Sequence, residues 1–288
     1  MHTKKIFLLS FSFILLVIFI SCLMTYKNEK KDFQREIDIY NKLIELNPDY
    51  KEKYDKPDDN FKIQKDANEI YLAIFSKDTI LSIFPHFFHF LIIFNAMLYY
   101  YRFFKSNIYK DICVRKNYNY LFHYLKKPFI YSLLIPITVI IAFFMAYLIS
   151  KKIDINYFAN DYYNAYEYGN ILGYLGLCVS TLLNLLMIGI IYINIALFFS
   201  TRKGGFVSSY CIACCSIIAF FIICELLPSS IISSKLINSL HPQAFYIFES
   251  SSTIFYRTIC IFIIYLFSLI INIFRFNNKE RLIINNET

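Results

Sequence analysis

Long runs of uncharged, mostly apolar residues alternate with shorter polar stretches along the whole chain. No Asp, Glu, Lys or Arg occurs in Ile6–Met24, Thr79–Tyr101, Pro128–Ser150, Ile171–Ser200, Gly205–Cys224 or Ile259–Phe274. A helix crosses the hydrocarbon core of a bilayer in about 20 residues. The pattern therefore predicts an all-α polytopic membrane protein, a single transmembrane domain over residues 1–288. Its six spans fall at residues 6–24, 79–101, 128–150, 173–199, 205–224 and 257–274. "FISC" ends at Cys22 with Phe three residues ahead, a poor lipobox, so the first span is expected to stay as an uncleaved anchor.

Prolines and polar clusters refine these elements. Residues 25–78 carry 11 Lys/Arg and 13 Asp/Glu and form a polar loop. Within it, "DFQREIDIYNKLIELNPDY" places Ile37, Tyr40, Leu43 and Ile44 on one face, which predicts a short helix stopping before Pro48. The loop reads either as a substrate-facing cap or as a solvated spacer. Pro128 suits a first helical turn, and Pro136 predicts a kink in the middle of its span. Residues 225–257 are too apolar for a free loop, yet Pro228 and Pro242 interrupt them. A re-entrant or interfacial outer segment before span 6 is expected there.

Charge sets the orientation. The first five residues carry +2, residues 102–127 carry +6, residues 201–204 carry +2 and the tail from Arg275 carries +1. The alternate loops carry −2 (25–78), −1 (151–170) and 0 (225–257). Loops rich in Lys and Arg stay in the cytoplasm, so both termini are expected inside, an N-in/C-in topology. The net charge of +8 sits beside apolar spans, which favours the lipid bilayer as partner and argues against nucleic acid.

"RFFKSNIYKDICVRKNYNYLFHYLKK", residues 102–127, is the main basic anchor. Tyr118, Leu121, Phe122 and Leu125 fall on one helical stripe, so the segment reads as an amphipathic helix on the inner membrane surface. Asp111, Arg115 and Lys116 are then offered to a partner, or else the segment is only a positively charged loop on lipid.

Groups that carry chemistry are sparse. No G-x-x-x-x-G-K-[ST], H-E-x-x-H or G-x-S-x-G is present, so no phosphate-binding loop, metalloprotease or hydrolase site is expected, and the chain is not expected to be an enzyme. His86 and His89 share a helix face but lack a completing ligand, which favours packing over a metal. Cys211, Cys214 and Cys215 sit inside the fifth span and read as a buried small-residue face. Gly169, Gly173 and Gly176 are compatible with close helix packing. Asn95, Asn184 and Asn194 are polar groups inside spans, either on a substrate path or bonded to neighbouring helices. Glu225, at the outer end of the fifth span, is the best single candidate for a functional acid.

The layout resembles that of ABC-2 type transporter permeases, the membrane-spanning subunits of bacterial ABC transporters. "IYKDICVRKNYNYLFHYLKKPFIYSLL" is similar to the family's run of an acid, an Arg and a Lys entering the third span, although the Gly-Thr pair common after the acid is missing. "SLHPQAFYIF" resembles the proline-containing stretch before the family's last span. The resemblance implies a coupling helix between spans 2 and 3, with Asp111, Arg115, Lys116, Tyr118, Leu121 and Phe122 as its contact residues. It also implies a cytoplasmic ATPase subunit that binds the ATP, a second permease copy or paralogue, and a place in the bacterial cell membrane. Export of a peptide, antibiotic or lipid-like compound would be the work of such a pair. The other readings are a stand-alone membrane binding or immunity protein and, more weakly, a membrane enzyme acting on lipid or peptide.

Overall fold

A computed structural model of the chain describes residues 2–47, 63, 65–75, 79–106, 123–155, 171–201, 205–226 and 251–277. Among these residues there are helices and turns and no strand. The α-helices are α1 (His2–Leu46), α2 (Ala67–Ile74), α3 (Phe84–Lys105), α4 (Leu134–Ser150), α5 (Ile171–Ser200), α6 (Phe206–Leu226) and α7 (Ser251–Asn277). Two 3-10 helices, Ile80–Ile83 and Lys127–Leu133, lead into α3 and α4. Among the described residues five helical stretches are long and apolar enough to cross a membrane: Lys4–Leu46, Phe87–Lys105, His123–Ser150, Gly173–Ser200 and Arg257–Arg275. α6 contributes the shorter apolar stretch Phe206–Phe220 where the fifth span is expected.

α1 departs from expectation. A separate short helix was expected beyond the first span, but one helix of 45 residues runs through. The reason is local. Residues 2–46 contain neither Gly nor Pro, and the first breaker is Pro48. Beyond Met24, Arg35 pairs with Asp32 at 3.3 Å and Gln34 donates to Asp38 at 3.3 Å, contacts one helical turn apart. At 1.5 Å per residue the helix is ~68 Å long, about twice the hydrocarbon thickness.

Pro136 also differs from its expected role. It stands third in α4, directly after the 3-10 turns, so it starts an α-helix instead of kinking one. Its missing N–H falls in the first turn, where helix N–H groups have no intrahelical partner anyway. Pro128 enters the 3-10 helix at its first turn.

The chain forms two compact units. One comprises residues 15–83 and 140–154. Here α2 buries Ile70, Tyr71 and Ile74 completely, and the Tyr71 ring lies 5.9 Å from that of Phe143 on α4. Asp66 caps α2: one carboxylate oxygen accepts the Glu69 N–H at 2.8 Å. Its other oxygen accepts from the Asn68 side chain at 3.2 Å and from the Asp154 N–H at 3.2 Å. Asn68 Nδ2 also reaches the Asp154 carbonyl at 2.9 Å, and the Ala67 N–H donates to the Lys152 carbonyl at 2.8 Å. Lys151, with φ of 56°, makes the left-handed turn that ends α4 and aims the Lys152 carbonyl at α2. The Leu81 N–H donates to Ser21 Oγ of α1 at 3.0 Å, and Lys65 pairs with Glu29 at 2.6 Å. Residues 65–75 are thus packed structure, which corrects the solvated-spacer reading for that stretch.

The other unit comprises residues 1–14, 84–139 and 155–288. It holds the start of α4 and all of α3, α5, α6 and α7. Asn95 of α3 donates to Ser10 Oγ of α1 at 2.8 Å. Gly189 of α5 faces the backbone of Ser132, and an added Cβ there would come within 2.8 Å of Ser132 Cα. Gly176 has open space where its Cβ would be, so the close approach shown here is that of Gly189. Gly169 lies outside the described residues.

Candidate functional site

Within this second unit, α5 and α7 are joined by a seam of polar side chains. Asn184 Nδ2 donates to Thr258 Oγ1 at 2.9 Å, and Asn194 Nδ2 donates to Ser268 Oγ at 2.9 Å. Both pairs are separated by 74 residues. A constant offset means that the two helices run in the same direction, side by side. Asn272 Nδ2 reaches the Asn194 carbonyl at 3.1 Å, and the Arg275 guanidinium lies over the Phe198 ring at 4.4 Å. Ser268 spends its own proton on the Tyr265 carbonyl at 2.7 Å. Asn184 Oδ1, Asn272 Oδ1 and Thr181 Oγ1 are buried without a hydrogen-bond partner among the described residues.

The amides and hydroxyls of the seam carry no charge and lose no proton near neutral pH. The seam therefore fixes register and offers neutral donors and acceptors; it is not built for acid–base chemistry. A single interhelical hydrogen bond in a membrane contributes about 0.6 kcal/mol on average, so the seam's weight lies in specificity.

One end of this unit gathers the positive charge. Tyr99 OH donates to the Tyr124 carbonyl at 3.0 Å and Tyr100 OH to the Leu125 carbonyl at 2.8 Å. The Tyr101 and Phe206 rings lie 5.6 Å apart. The C-terminal ends of α3, α5 and α7 thus share a side with the residues leading into α4 and with the start of α6. Arg102, Lys105, Lys126, Lys127 and Arg275 stand there, and the adjoining described residues hold no carboxylate. Lys105 sits over the Tyr101 ring at 4.8 Å, and Lys127 sits over the Tyr124 ring at 4.0 Å. Cations at helix C-termini also complement the helix dipole.

The expected site residues are placed unevenly. Asn95, Asn184 and Asn194 are all buried and each bonds a neighbouring helix. Glu225 falls in the last turn of α6, and its side chain is outside the described residues. Asp111, Arg115, Lys116, Tyr118, Leu121 and Phe122 lie outside them as well, as does residue stretch 227–250 of the expected re-entrant segment. His89 is buried, with its ring 5.7 Å from Tyr192 of α5. Among the described residues no group of three His, Cys, Asp or Glu is placed to hold a metal. Among the described α6 cysteines Cys214 is buried and Cys211 and Cys215 are exposed, so the three do not form the buried face expected of them: the face they share is turned only partly toward the neighbouring helices.

Sequence reasoning missed the partners. Ser10, Thr258, Ser268 and Asn272 had no local signal beyond being polar in apolar surroundings. Arg257, expected at the junction of the outer loop and the sixth span, stands in the second turn of α7 and is 2% exposed.

These features define a class: a multi-pass, all-helical membrane protein with amide–hydroxyl bonds between its helices. Comparison with protein families, with curated proteins and with solved structures gives no match.

Proposed function

We propose that the chain is the membrane-spanning permease subunit of an ATP-driven transporter of the ABC-2 type, working with a separate cytoplasmic ATPase and a second permease unit. The observation that carries this reading is the pinning of the basic segment's two ends. The bonds from Tyr99 to Tyr124 and from Tyr100 to Leu125 hold residues 99–106 and 123–127 together. The described residues that flank 107–122 therefore meet at one place, on the basic side of the bundle. A docking segment for an ATPase needs that arrangement. The basic side is the cytoplasmic one on the positive-inside principle, so both termini are inside and six spans alternate across the membrane. Cargo of the peptide, antibiotic or lipid-like class follows from the resemblance alone.

A second reading, a stand-alone binding or immunity protein, is favoured by one observation. Asn95, Asn184 and Asn194 spend their amides on neighbouring helices, as a static bundle would.

One experiment separates the two. Asp111→Lys combined with Arg115→Glu leaves the net charge unchanged, so orientation should survive. Charged contacts at a desolvated interface cost about 2–5 kcal/mol when broken. The double variant should reach the membrane at normal abundance and lose ATPase co-purification by tenfold or more, the factor that ~1.4 kcal/mol gives. A native chain that brings down no ATPase from the cells that make it sinks the permease reading.

A further inference from the structure

A cavity of about 230 Å³ lies between α5, α6 and α7. Its α5 wall runs from Ile188 to Phe199, its α6 wall includes Ile217 and Phe220, and its α7 wall includes Ile261. On the α5–α7 side the Asn184–Thr258 bond lies just before the cavity, and the Asn194–Ser268 bond lies within its length. The remaining side opens outward, because Ser216 and Phe220 on α6 are exposed. Beside that mouth α7 presents Phe262, Ile263, Leu266 and Phe267 to the exterior.

Three observations select an occupant. The lining is almost wholly apolar, and the Ser216 hydroxyl is spent on the Ile212 carbonyl at 2.8 Å. No polar cargo finds recognition there. Ile188 to Phe199 is eleven residue steps, ~16 Å of helix, close to the depth of one leaflet, about half of a ~30 Å core. An apolar cavity of ~150 Å³ already accepts benzene, so this one has room for a run of methylenes. Finally, Phe199 lies at the basic end, next to the Phe198 ring that carries Arg275.

We propose that the groove between α5, α6 and α7 holds one acyl chain of an anionic phospholipid, entered from the leaflet at the basic end. The walls supply a hydrocarbon trough, and the cations at its end supply the match for a phosphate-bearing headgroup. The site stands whether or not an ATPase partner exists.

The chain has no tryptophan, so single reporters can be placed without background. Tyr192→Trp puts one in the cavity wall, at a buried position. Phe267→Trp gives a fully lipid-facing reference and Phe88→Trp a buried one on α3. Each variant is reconstituted into vesicles with brominated-chain phosphatidylglycerol or phosphatidylcholine. The Tyr192→Trp emission should be quenched nearly as strongly as that of Phe267→Trp. Phosphatidylglycerol should quench it at about fivefold lower mole fraction than phosphatidylcholine, the factor expected for one basic residue at an anionic surface. Arg275→Gln should remove that preference and leave the chain in place. In case Tyr192→Trp fails to fold, native mass spectrometry provides the second readout. The unaltered chain should retain one phospholipid through detergent exchange, and the cavity-filling variant Ile261→Phe should not. Quenching no greater than for Phe88→Trp, or equal lipid retention by Ile261→Phe, overturns the site. Equal quenching by both lipids overturns the anionic assignment. Quenching that falls as protein density rises points to a second copy of the chain in the groove, and overturns the lipid.

Discussion

Asp66 ties three of its neighbours together outside the spans. It is 6% exposed and accepts from the Glu69 N–H, the Asn68 amide and the Asp154 N–H. Removing an N-cap costs about 0.5–2 kcal/mol, and each buried donor left unpaired adds about 1–3 kcal/mol. Asp66→Ala should therefore lower the thermal midpoint of the purified chain by several degrees, and Asp66→Asn by clearly less. An unchanged midpoint in Asp66→Ala would show that the cap carries no load. Gly189 is sensitive for the opposite reason, since the space for a side chain is already filled by Ser132 backbone. Gly189→Ala should cost about 1–3 kcal/mol through overpacking, read as reduced membrane abundance, while Gly176→Ala should be silent. Neither residue was visible in the sequence as special. Asp66 is one acid among many in a charged stretch, and Gly189 sits in an unbroken apolar run, so the neighbour that makes it necessary is more than fifty residues away.

At the scale of elements, the spans were legible because hydrocarbon thickness imposes a minimum length on uncharged helix, and that length is read by counting. The fusion of the first span with the polar helix was legible in principle. It needed only the absence of Gly and Pro before Pro48, but the change from apolar to charged composition invited a boundary. α2 was hidden because eight residues give no periodicity strong enough to stand out from 25–78. The seam between α5 and α7 was half legible: Asn184 and Asn194 stood out as polar, but their partners did not. Its register is testable. Deleting Ile190 turns everything beyond it by about 100° relative to Asn184. Asn194 then no longer meets Ser268, and the variant should lose abundance and melt lower. Deleting Ile263 as well shortens α7 between Thr258 and Ser268 and restores the offset. The double deletion should recover part of the loss. A double variant as poor as the sum of its parts would mean that the two hydrogen bonds do not set the register.

For the whole molecule the loop charges predict an inner side from sequence, and within the second unit cations lie over the Tyr101, Tyr124 and Phe198 rings at one end of its helices. Labelling tests which side of the membrane that end faces. Single cysteines at Asn60 and Asn119 in a cysteine-free chain are exposed on intact cells to an impermeant maleimide. Asn60 should react and Asn119 should not; the reverse pattern overturns the orientation. The pinning of Tyr99 and Tyr100 to residues 124 and 125 has a consequence of another kind. It makes the point of departure and the point of return a socket, independent of what is plugged into it. Lengthening a flexible insert twofold costs only ~0.6 kcal/mol in closure entropy, and the bundle beneath keeps its own bonds. Replacing the sequence between residues 106 and 123 should therefore leave these two bonds, and the helices they join, in place.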